Sequence, residues 1–291
     1  MTVVRILDAG LLSTIQDLGR PGWFSIGVGV SGAADRGSLK LANRLVGNPE
    51  DAAGIETLLG GLELMAEAPV LLAVTGADAP IVVDGVAQAH ASVLALRTGQ
   101  RLKLGTATAG LRVYVAVRGG IAVDPVLGSR SRDTLAGLGP EPLAEGAQLS
   151  VGPTENFPWP NIEVAPVPPI DSGLVTVRVL LGPRDDWFTD PQSLFTGRWQ
   201  MTDRADRVGV RLARVGDGAP LTRINDKELP TEGVPLGAIQ VQPSGEPVVF
   251  LADHPITGGY PVVGTVITAD VDLLAQLRPG QQLQFRPAHP D

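Results

Sequence analysis

Cysteine is absent from the 291-residue sequence, which excludes disulfide bonds, thiolate nucleophiles and zinc–thiolate sites. Histidine is scarce, and His90, His254 and His289 lie far apart in the sequence, which leaves little scope for a metal centre. Only 4% of the residues are aromatic, so a core must be built mainly from Val, Leu, Ile and Ala. No uninterrupted apolar run approaches the roughly 20 residues that a membrane span needs, so we expect no membrane partner.

Positive charge is in the minority, with 23 Lys and Arg residues against 31 Asp and Glu residues. The resulting net charge of −8 argues against a nucleic-acid-binding surface. The N-terminal sequence MTVVRILDAG lacks the cationic start and the long apolar stretch of a signal peptide. We therefore expect a cytoplasmic protein, and the lack of cysteine agrees with a reducing compartment.

Glycine and proline are abundant, and the 36 Gly and 25 Pro residues separate short Val-rich runs such as VLLAVTG and LRVYVAV. Many short strands with frequent turns predict a mainly β fold of barrel or sandwich type, with few short helices. Residues 156–170 are rich in proline, which lacks a backbone donor, so we expect an extended surface linker there. This linker would separate an N-terminal β-rich domain at 1–155 from a C-terminal β domain at 171–291.

Helical patterns are few. The sequence DRGSLKLANRLVGNP has apolar residues at helical spacing, Asp35 as a candidate N-cap and Gly47 as a stop signal. Asn48 followed by Pro49 predicts a second short helix through EDAAGIE. Two further short helices are predicted in TDPQSLFTG and ADVDLLAQLRPG.

The stretch STIQDLGRPGWFSIGVGVSGAADRGS, residues 13 to 38, combines glycines with polar side chains. Its SGAAD unit leads into the first predicted helix, where unpaired backbone N–H groups favour an anion. We therefore take Asp17 as a candidate catalytic residue and Ser31 and Asp35 as candidate substrate-binding residues. The same pattern is also typical of a capped helix after a surface loop.

The sequence GSRSRD, residues 128 to 133, places two arginines and two serines in one predicted loop. Arginine forks bind carboxylates and phosphates in bidentate fashion, so the loop could clamp an oxyanion, and Arg130 is a candidate catalytic residue. A simple polar turn fits the same residues.

The stretch TEGVPLGAIQVQPSGEP, residues 231 to 247, carries Glu232 before a turn and then alternates Gln with apolar residues. In a strand, Gln240 and Gln242 share one face, and glutamine can read an amide because it offers both donor and acceptor. Gln240 and Glu232 are therefore candidate substrate-binding residues. An ordinary half-buried strand with a wet face has the same pattern.

The connection HPITGGYP, residues 254 to 261, joins two apolar runs. Gly258 and Gly259 could direct two backbone N–H groups into a site, as an oxyanion cradle requires. With Tyr260 they are candidate catalytic residues, while Thr257 is a candidate substrate-binding residue. His254 and Asp253 could exchange protons, and a plain hairpin loop also fits. The sequence contains no nucleophile elbow, Walker lysine loop or metal-binding motif.

Seven motifs in order resemble those of the allophanate hydrolase subunit 2 family, also called the KipA-like family or the C subunit of the bacterial ATP-dependent 5-oxoprolinase. The resemblance runs from about residue 6 to residue 286, and its motifs are LSTIQDLGRPGWFSIGVGVSGAAD, LANRLVGNPEDAAGIE, VTGAD, VAVRGGI, LGSRSRD, DRVGVRL and GAIQVQPSGEPVVFLADHPITGGYP.

This resemblance implies β-rich domains with cyclophilin-like barrels. It also implies two partners, a KipI-like protein (allophanate hydrolase subunit 1) and a LamB/YcsF-like protein. The implied complex opens the lactam of 5-oxoproline, a small-molecule amide, to give glutamate at the expense of ATP. ATP, with Mg²⁺ as a possible companion, would contact this chain or its partner.

The resemblance carries two alternatives. One is the carboxyltransferase half of a biotin-dependent urea carboxylase or allophanate hydrolase system. The other is a KipA-like regulatory protein that binds and antagonises a KipI-like kinase inhibitor. The sequence has no biotin-carrier segment, ATP-grasp-like region or KipI-like half, so we expect the chain alone to be inactive.

Activation of an amide carbonyl places negative charge on its oxygen, and this suggests specific roles. In our hypothesis, backbone N–H groups of Gly258 and Gly259, with Arg130, hold the oxyanion or the transferring phosphoryl group. Gln240 reads the amide, and Tyr260 and Asp17 are the next candidates.

Overall fold

A computed structural model of the protein describes residues 3–155, 157–216, 220–224 and 227–288. The chain divides into two compact units. Unit 1 comprises Met1–Arg20, Ser31–Asp133 and Gly137–Ile170, and unit 2 comprises Pro21–Val30, Thr134–Ala136 and Asp171–Asp291. Two short segments from the N-terminal half of the sequence thus belong to unit 2.

Unit 1 contains two antiparallel sheets, whose strands are numbered along the chain. The six-stranded sheet has the order β11 (Gln148–Ser150), β1 (Val3–Ala9), β4 (Leu62–Ala66), β9 (Arg101–Leu104), β6 (Ile81–Val83) and β7 (Val86–Gln88). The five-stranded sheet has the order β2 (Ser13–Gln16), β3 (Gly54–Leu58), β10 (Ala109–Val117), β5 (Val70–Asp78) and β8 (Val93–Leu96).

The core of unit 1 is aliphatic, as the low aromatic content predicts. Val4 and Ile6 of β1 are fully buried, while Arg5 between them faces outward and pairs with Glu67. Side chains of the second sheet, among them Val113 of β10, belong to the same buried cluster. The alternation along β1 therefore places one face of the first sheet against this core.

Helix α1 (Arg36–Leu45) lies where the sequence predicts it. The carboxylate of Asp35 accepts a hydrogen bond from Ser38 N at 2.8 Å, which satisfies a backbone donor of the first turn. The chain leaves the helix through Gly47, which has a φ of +73°. The buried face of the helix packs with alanines of β5 and β10.

The proline-rich segment is bound to unit 1 over part of its length. The guanidinium of Arg118 donates to the carbonyls of Pro158 (2.8 Å) and Phe157 (3.0 Å). Further along, Val93 N donates to Glu163 O at 2.8 Å. The assignment of 156–170 as an interdomain linker, and with it the division at 1–155 and 171–291, stays a prediction.

Unit 2 is built around a closed seven-stranded barrel. Its strands are, in order, β12 (Val175–Leu181), β19 (Val262–Val266), β16 (Ala238–Val241), β17 (Pro247–Phe250), β14 (Gly209–Val215), β13 (Arg198–Met201) and β20 (Gln282–Pro287). Strands β12 and β20 are parallel, and the other neighbours are antiparallel. Trp199 and Phe285 are buried, with ring centroids 6.3 Å apart.

Three smaller features complete unit 2. A two-stranded ribbon consists of β15 (Glu232–Gly233) and β18 (Thr257–Gly258), and helix α2 spans Thr268–Ala275. Short 3-10 turns lie at Phe24–Ile26, Asp185–Trp187 and Pro191–Phe195. Within the described residues, no helix is long and apolar enough to cross a membrane.

The predicted mainly β fold, with barrel architecture and a few short helices, is confirmed. One predicted helix is wrong, because the end of EDAAGIE lies in strand β3, which pairs with both β2 and β10. Asn48 does not cap a helix there. Its amide donates to Asn43 Oδ1 and to Val117 O instead.

Candidate functional site

The ten predicted site residues fall into two groups. Unit 1 contains Asp17, Ser31, Asp35 and Arg130, and unit 2 contains Glu232, Gln240, Thr257, Gly258, Gly259 and Tyr260.

Asp17 in unit 1 is buried and its carboxylate is held by the loop that contains GSRSRD. Oδ1 accepts from Ser129 Oγ (2.6 Å), Ser131 Oγ (2.5 Å) and Gly19 N (2.8 Å). Oδ2 accepts from the backbone N of Arg130 at 2.6 Å. Three donors thus bind Oδ1 and one binds Oδ2, so both oxygens of the carboxylate are engaged within the chain.

Arg130 is half-buried, and its side chain is fixed at one nitrogen only. Nε donates to Val123 O at 2.8 Å, whereas no described residue accepts a hydrogen bond from Nη1 or Nη2. The terminal edge of this guanidinium can therefore donate to an added ligand.

The second arginine of GSRSRD has partners within the chain, and an oxyanion clamp formed by this loop stays a prediction. Arg132 Nη1 donates to Glu141 Oε1 at 2.9 Å and approaches Gly139 O at 3.4 Å, so this arginine is engaged by its own loop. Both serines hold Asp17. The loop is packed so closely that a Cβ at Gly139, where φ is +84°, would overlap Ser131 O.

A buried arginine supports the same loop. The Arg20 side chain is fully buried, its Nη2 donates to Ser131 O, and its Nε donates to Val126 O at 3.3 Å. Nη1 lies 3.9 Å from Asp133 Oδ2 and has no hydrogen-bond partner among the described residues. Arg20 thus binds two carbonyls of the loop that presents Arg130.

The N-terminal turn of α1 carries the protein's own carboxylates. Asp35 caps the helix, and Glu56 Oε2 accepts from Ala34 N at 3.0 Å and from the Tyr114 hydroxyl at 2.8 Å. Burial raises the pKa of Tyr114 well above 10, and the neighbouring negative charges of Glu56 and Asp35 raise it further.

Ser31 lies just before this turn. It is fully buried, has a φ of +56°, and its hydroxyl lies 3.4 Å from Arg132 O. The anion expected at the helix N-terminus is therefore supplied from within the chain. Substrate binding by Ser31 and Asp35 stays a prediction.

In unit 2, the ribbon positions the two candidate glycines differently. Val234 N donates to Ile256 O at 2.9 Å, and the register pairs Glu232 with Gly258. Along an antiparallel ladder, hydrogen-bonded pairs alternate with pairs that are not hydrogen-bonded. Val234 and Ile256 form one hydrogen-bonded pair, so Glu232 and Gly258 form the next one, in which the N–H of Gly258 donates to Glu232 O. In this register the Gly258 N–H is used within the ribbon, and the donor roles of Gly258 and Gly259 in a site stay predictions.

Gly258 instead makes room for Gln240. Gln240 on β16 is buried, not on a wet face, and its Nε2 donates to Tyr260 O at 3.0 Å. A Cβ at Gly258 would lie 2.7 Å from that Nε2. Among the described residues none donates to Gln240 Oε1, so an acceptor is left for an amide N–H. Thr257 and Tyr260 are both exposed.

Glu232 is engaged by Arg184, a residue that the sequence did not single out. Arg184 Nε lies 3.0 Å from both carboxylate oxygens of Glu232, and Nη2 donates to Oε1. These hydrogen bonds and the positive charge of Arg184 lower the pKa of Glu232. The carboxylate is thus ionised at neutral pH, and Arg184 takes up part of its capacity to accept hydrogen bonds.

Proton exchange between Asp253 and His254 stays a prediction, and each residue also contacts other groups of unit 2. The Asp253 carboxylate accepts from Arg207 Nε (2.9 Å) and Nη2 (3.0 Å) and from the Thr134 hydroxyl (2.7 Å). His254 Nδ1 lies 2.9 Å from Pro255 O. The buried Arg207–Asp253 ion pair therefore anchors the start of the HPITGGYP loop.

The residues that sequence reasoning missed are Arg184, Arg207 and the two serines as partners of Asp17. Their partners lie 46 to 114 positions away in sequence, and no local pattern links such pairs. The only available signal was the presence of both serines in GSRSRD. Among the described residues, no group of three or more His, Asp or Glu side chains could hold a metal ion.

Comparison with known proteins places this chain near two groups. A family model described as "Carboxyltransferase domain, subdomain A and B" matches residues 26–287. The chain is 35% identical over 288 residues to the C subunit of 5-oxoprolinase from Escherichia coli (strain K12), a match that covers 97% of this chain and 90% of that protein.

Solved structures agree with this placement. The crystal structure of the K. lactis urea amidolyase is similar with a TM-score of 0.90 and 28% identity, over 99% of this chain and 19% of that chain. The crystal structure of TTHA0988 is similar with a TM-score of 0.87 and 32% identity, over 98% of this chain and 56% of that chain. This chain therefore spans about half of one solved relative and about a fifth of the other.

Proposed function

The chain belongs to the carboxyltransferase-domain family with subdomains A and B, and we propose that it is the C subunit of an ATP-dependent 5-oxoprolinase of the cytoplasm. The observation that carries this proposal is the match to the E. coli 5-oxoprolinase protein, which covers 97% of this chain and 90% of that protein. By contrast, the chain spans only 19% of the K. lactis urea amidolyase.

The name of this relative describes it as one subunit of its enzyme, which supports a multi-subunit assembly. We propose that the partners are a KipI-like protein and a LamB/YcsF-like protein, and that this chain alone has no turnover.

The proposed reaction converts 5-oxoproline, ATP and two waters into glutamate, ADP and inorganic phosphate. The lactam oxygen attacks the γ-phosphorus of ATP and ADP leaves. One water then adds to the activated carbon, the C–N bond breaks and the amine takes up a proton. A second water hydrolyses the resulting acyl phosphate to the γ-carboxylate and phosphate.

The chain's own groups would assist by binding and by charge stabilisation. In unit 2, the proposed acceptor for the lactam N–H is Gln240 Oε1, whose amide is held through Nε2 by Tyr260 O, and the proposed donor to the activated oxygen is the N–H of Gly259. Tyr260, Thr257 and the ionised Glu232 lie on or beside the same ribbon and keep their proposed contact roles. In unit 1, the open edge of the Arg130 guanidinium fits a carboxylate or phosphoryl oxygen.

The test is reconstitution of the purified chain with candidate KipI-like and LamB/YcsF-like proteins, followed by measurement of ADP and glutamate. We expect ADP release that depends on 5-oxoproline and on all three proteins. If the complete complex does not turn over 5-oxoproline, the proposal fails.

A second candidate is the carboxyltransferase part of a biotin-dependent urea carboxylase, favoured by the TM-score of 0.90 with the K. lactis urea amidolyase. In this case biotin would be carried by a separate protein. Turnover of urea with a biotinylated carrier, and none of 5-oxoproline, would favour this candidate.

A further inference from the structure

The Asp17 carboxylate is surrounded by donors from one short loop. Ser129 Oγ, Ser131 Oγ and the backbone N of Arg130 all lie within 2.6 Å of its oxygens, and Gly19 N completes the set at 2.8 Å. Four donors therefore hold the two oxygens of this carboxylate in place, three at Oδ1 and one at Oδ2.

The two serines flank Arg130 in sequence and both reach the same carboxylate. Between them, the backbone N of Arg130 donates to Asp17 Oδ2 at 2.6 Å, so Asp17 and the serines fix the backbone at this position. The side chain of Arg130 is held at Nε, which donates to Val123 O at 2.8 Å. The backbone and the inner part of the guanidinium are fixed, while Nη1 and Nη2 stay available.

We propose that Asp17, Ser129 and Ser131 are positioning residues, which hold Arg130 as a pre-organised donor to an oxyanion of the substrate. This inference deepens the proposed function and rests on it for the nature of the ligand. The ligand is a carboxylate or phosphoryl oxygen, since both present two acceptors to the edge of a guanidinium. Fixing the arginine before binding removes part of the side-chain entropy that binding otherwise costs.

The first test measures binding to the full chain by titration calorimetry at constant ionic strength, with inorganic phosphate and acetate as separate probes. Loss of a charge-assisted hydrogen bond corresponds to about a 10- to 100-fold weakening, which we expect for Arg130→Ala. We expect several-fold weakening for the double variant Ser129→Ala/Ser131→Ala and for Asp17→Asn. Tighter binding of phosphate than acetate points to a phosphoryl group, and the reverse points to a substrate carboxylate.

Arg132→Lys is the matched control, because the side chain of Arg132 lies in the same loop but is engaged by Glu141. We expect this variant to bind the probes as the wild type does. If the wild type binds neither probe, or if Arg132→Lys weakens binding as much as Arg130→Ala, the inference is overturned.

The second test separates positioning from a merely structural role, with a double-mutant cycle on kcat/KM of the complete complex. If the serines act through Arg130, their replacement lowers kcat/KM in the wild type but not further in Arg130→Ala. Restoration by Ser129→Thr/Ser131→Thr, which keeps the hydroxyls, is also expected. Additive losses would overturn the positioning role.

The two tests also separate this inference from the proposed function. If the complex lacks 5-oxoprolinase activity but probe binding depends on Arg130 and the serines, the positioning role stands and the proposed function falls. If the complex has 5-oxoprolinase activity that is insensitive to Arg130→Ala, the proposed function stands and the positioning role falls.

Discussion

At the scale of the residue, glycine is required at position 258 because the side chain of Gln240 occupies the space that a Cβ would take. Gln240 is buried on β16, and its Nε2 would lie 2.7 Å from a Cβ at position 258. At Gly259, the next residue, a Cβ would meet only Leu229 O at 3.5 Å, which is an ordinary contact. Two adjacent glycines therefore have different structural requirements.

Gly258→Ala is expected to displace the Gln240 amide, and overpacking of this kind costs about 1 to 3 kcal/mol. Urea unfolding measures the cost, and KM for 5-oxoproline in the complex should rise because the acceptor moves. Gly259→Ala serves as the matched control and should change stability little. Equal destabilisation by both substitutions would contradict this account of position 258.

Tyr114 makes a second prediction at this scale, because its hydroxyl donates to Glu56 and accepts from Asp35 N. Tyr114→Phe should lower the free energy of unfolding at pH 8 by about 1 to 3 kcal/mol, the cost of unsatisfied buried partners. Burial, Glu56 and Asp35 raise the pKa of the folded tyrosine above its unfolded value of about 10. The stability it contributes is therefore complete below pH 10 and is lost as the pH rises toward the folded pKa.

Urea unfolding at pH 8 and above pH 10 checks this sign. The difference between wild type and Tyr114→Phe should shrink at the higher pH. Tyr260→Phe, at the exposed tyrosine, is the control for loss of a hydroxyl and should change the free energy of unfolding little at pH 8. A difference that grows with pH would contradict the assignment.

At the scale of the element, local sequence patterns predict a helix correctly where no strand distant in sequence pairs with the same residues. Helix α1 is predicted correctly because its cap at Asp35, its apolar spacing and its stop at Gly47 all lie within 13 residues. The helix predicted through EDAAGIE fails, because β2 and β10 supply ladder partners to β3 on both sides. Those partners are distant in sequence, so no local pattern reports them.

Helix α2 is attached to β12 by one carboxylate, which gives a prediction at this scale. Asp270 accepts from Arg178 N (2.7 Å), Nε (2.9 Å) and Nη2 (2.7 Å). Asp270→Asn should lower the free energy of unfolding at pH 7 by about 1 to 2 kcal/mol, a modest value because the arginine is half exposed.

The pH dependence of this effect follows from the pKa of Asp270. Burial alone would raise that pKa, but hydrogen bonds and charge from Arg178 outweigh it, so the pKa is lowered. The stabilisation is present above the unfolded pKa of about 4 and is lost as the pH falls through the folded pKa. The difference in thermal stability between wild type and Asp270→Asn should therefore shrink as the pH falls. Asp203→Asn, at an exposed site, is the control and should change thermal stability little at pH 7.

At the scale of the whole molecule, composition and motif order predicted the mainly β fold and the family. They did not predict the hydrogen bonds and ion pairs between the candidate site residues. Asp17 and Ser131 are 114 positions apart, and Arg184 and Glu232 are 48 apart. Each of these contacts depends on chain topology, which single-residue patterns do not encode. The same limit applies to Gly258, because only the register of the ribbon shows that its N–H donates within the chain.

We propose that this chain is required for ATP-dependent opening of 5-oxoproline. The most direct measurement is the ratio of glutamate formed to ADP released by the purified KipI-like and LamB/YcsF-like proteins, with and without this chain. We expect one glutamate per ADP when the chain is present and neither product when it is omitted. Glutamate formed at the same rate without the chain would contradict the proposal.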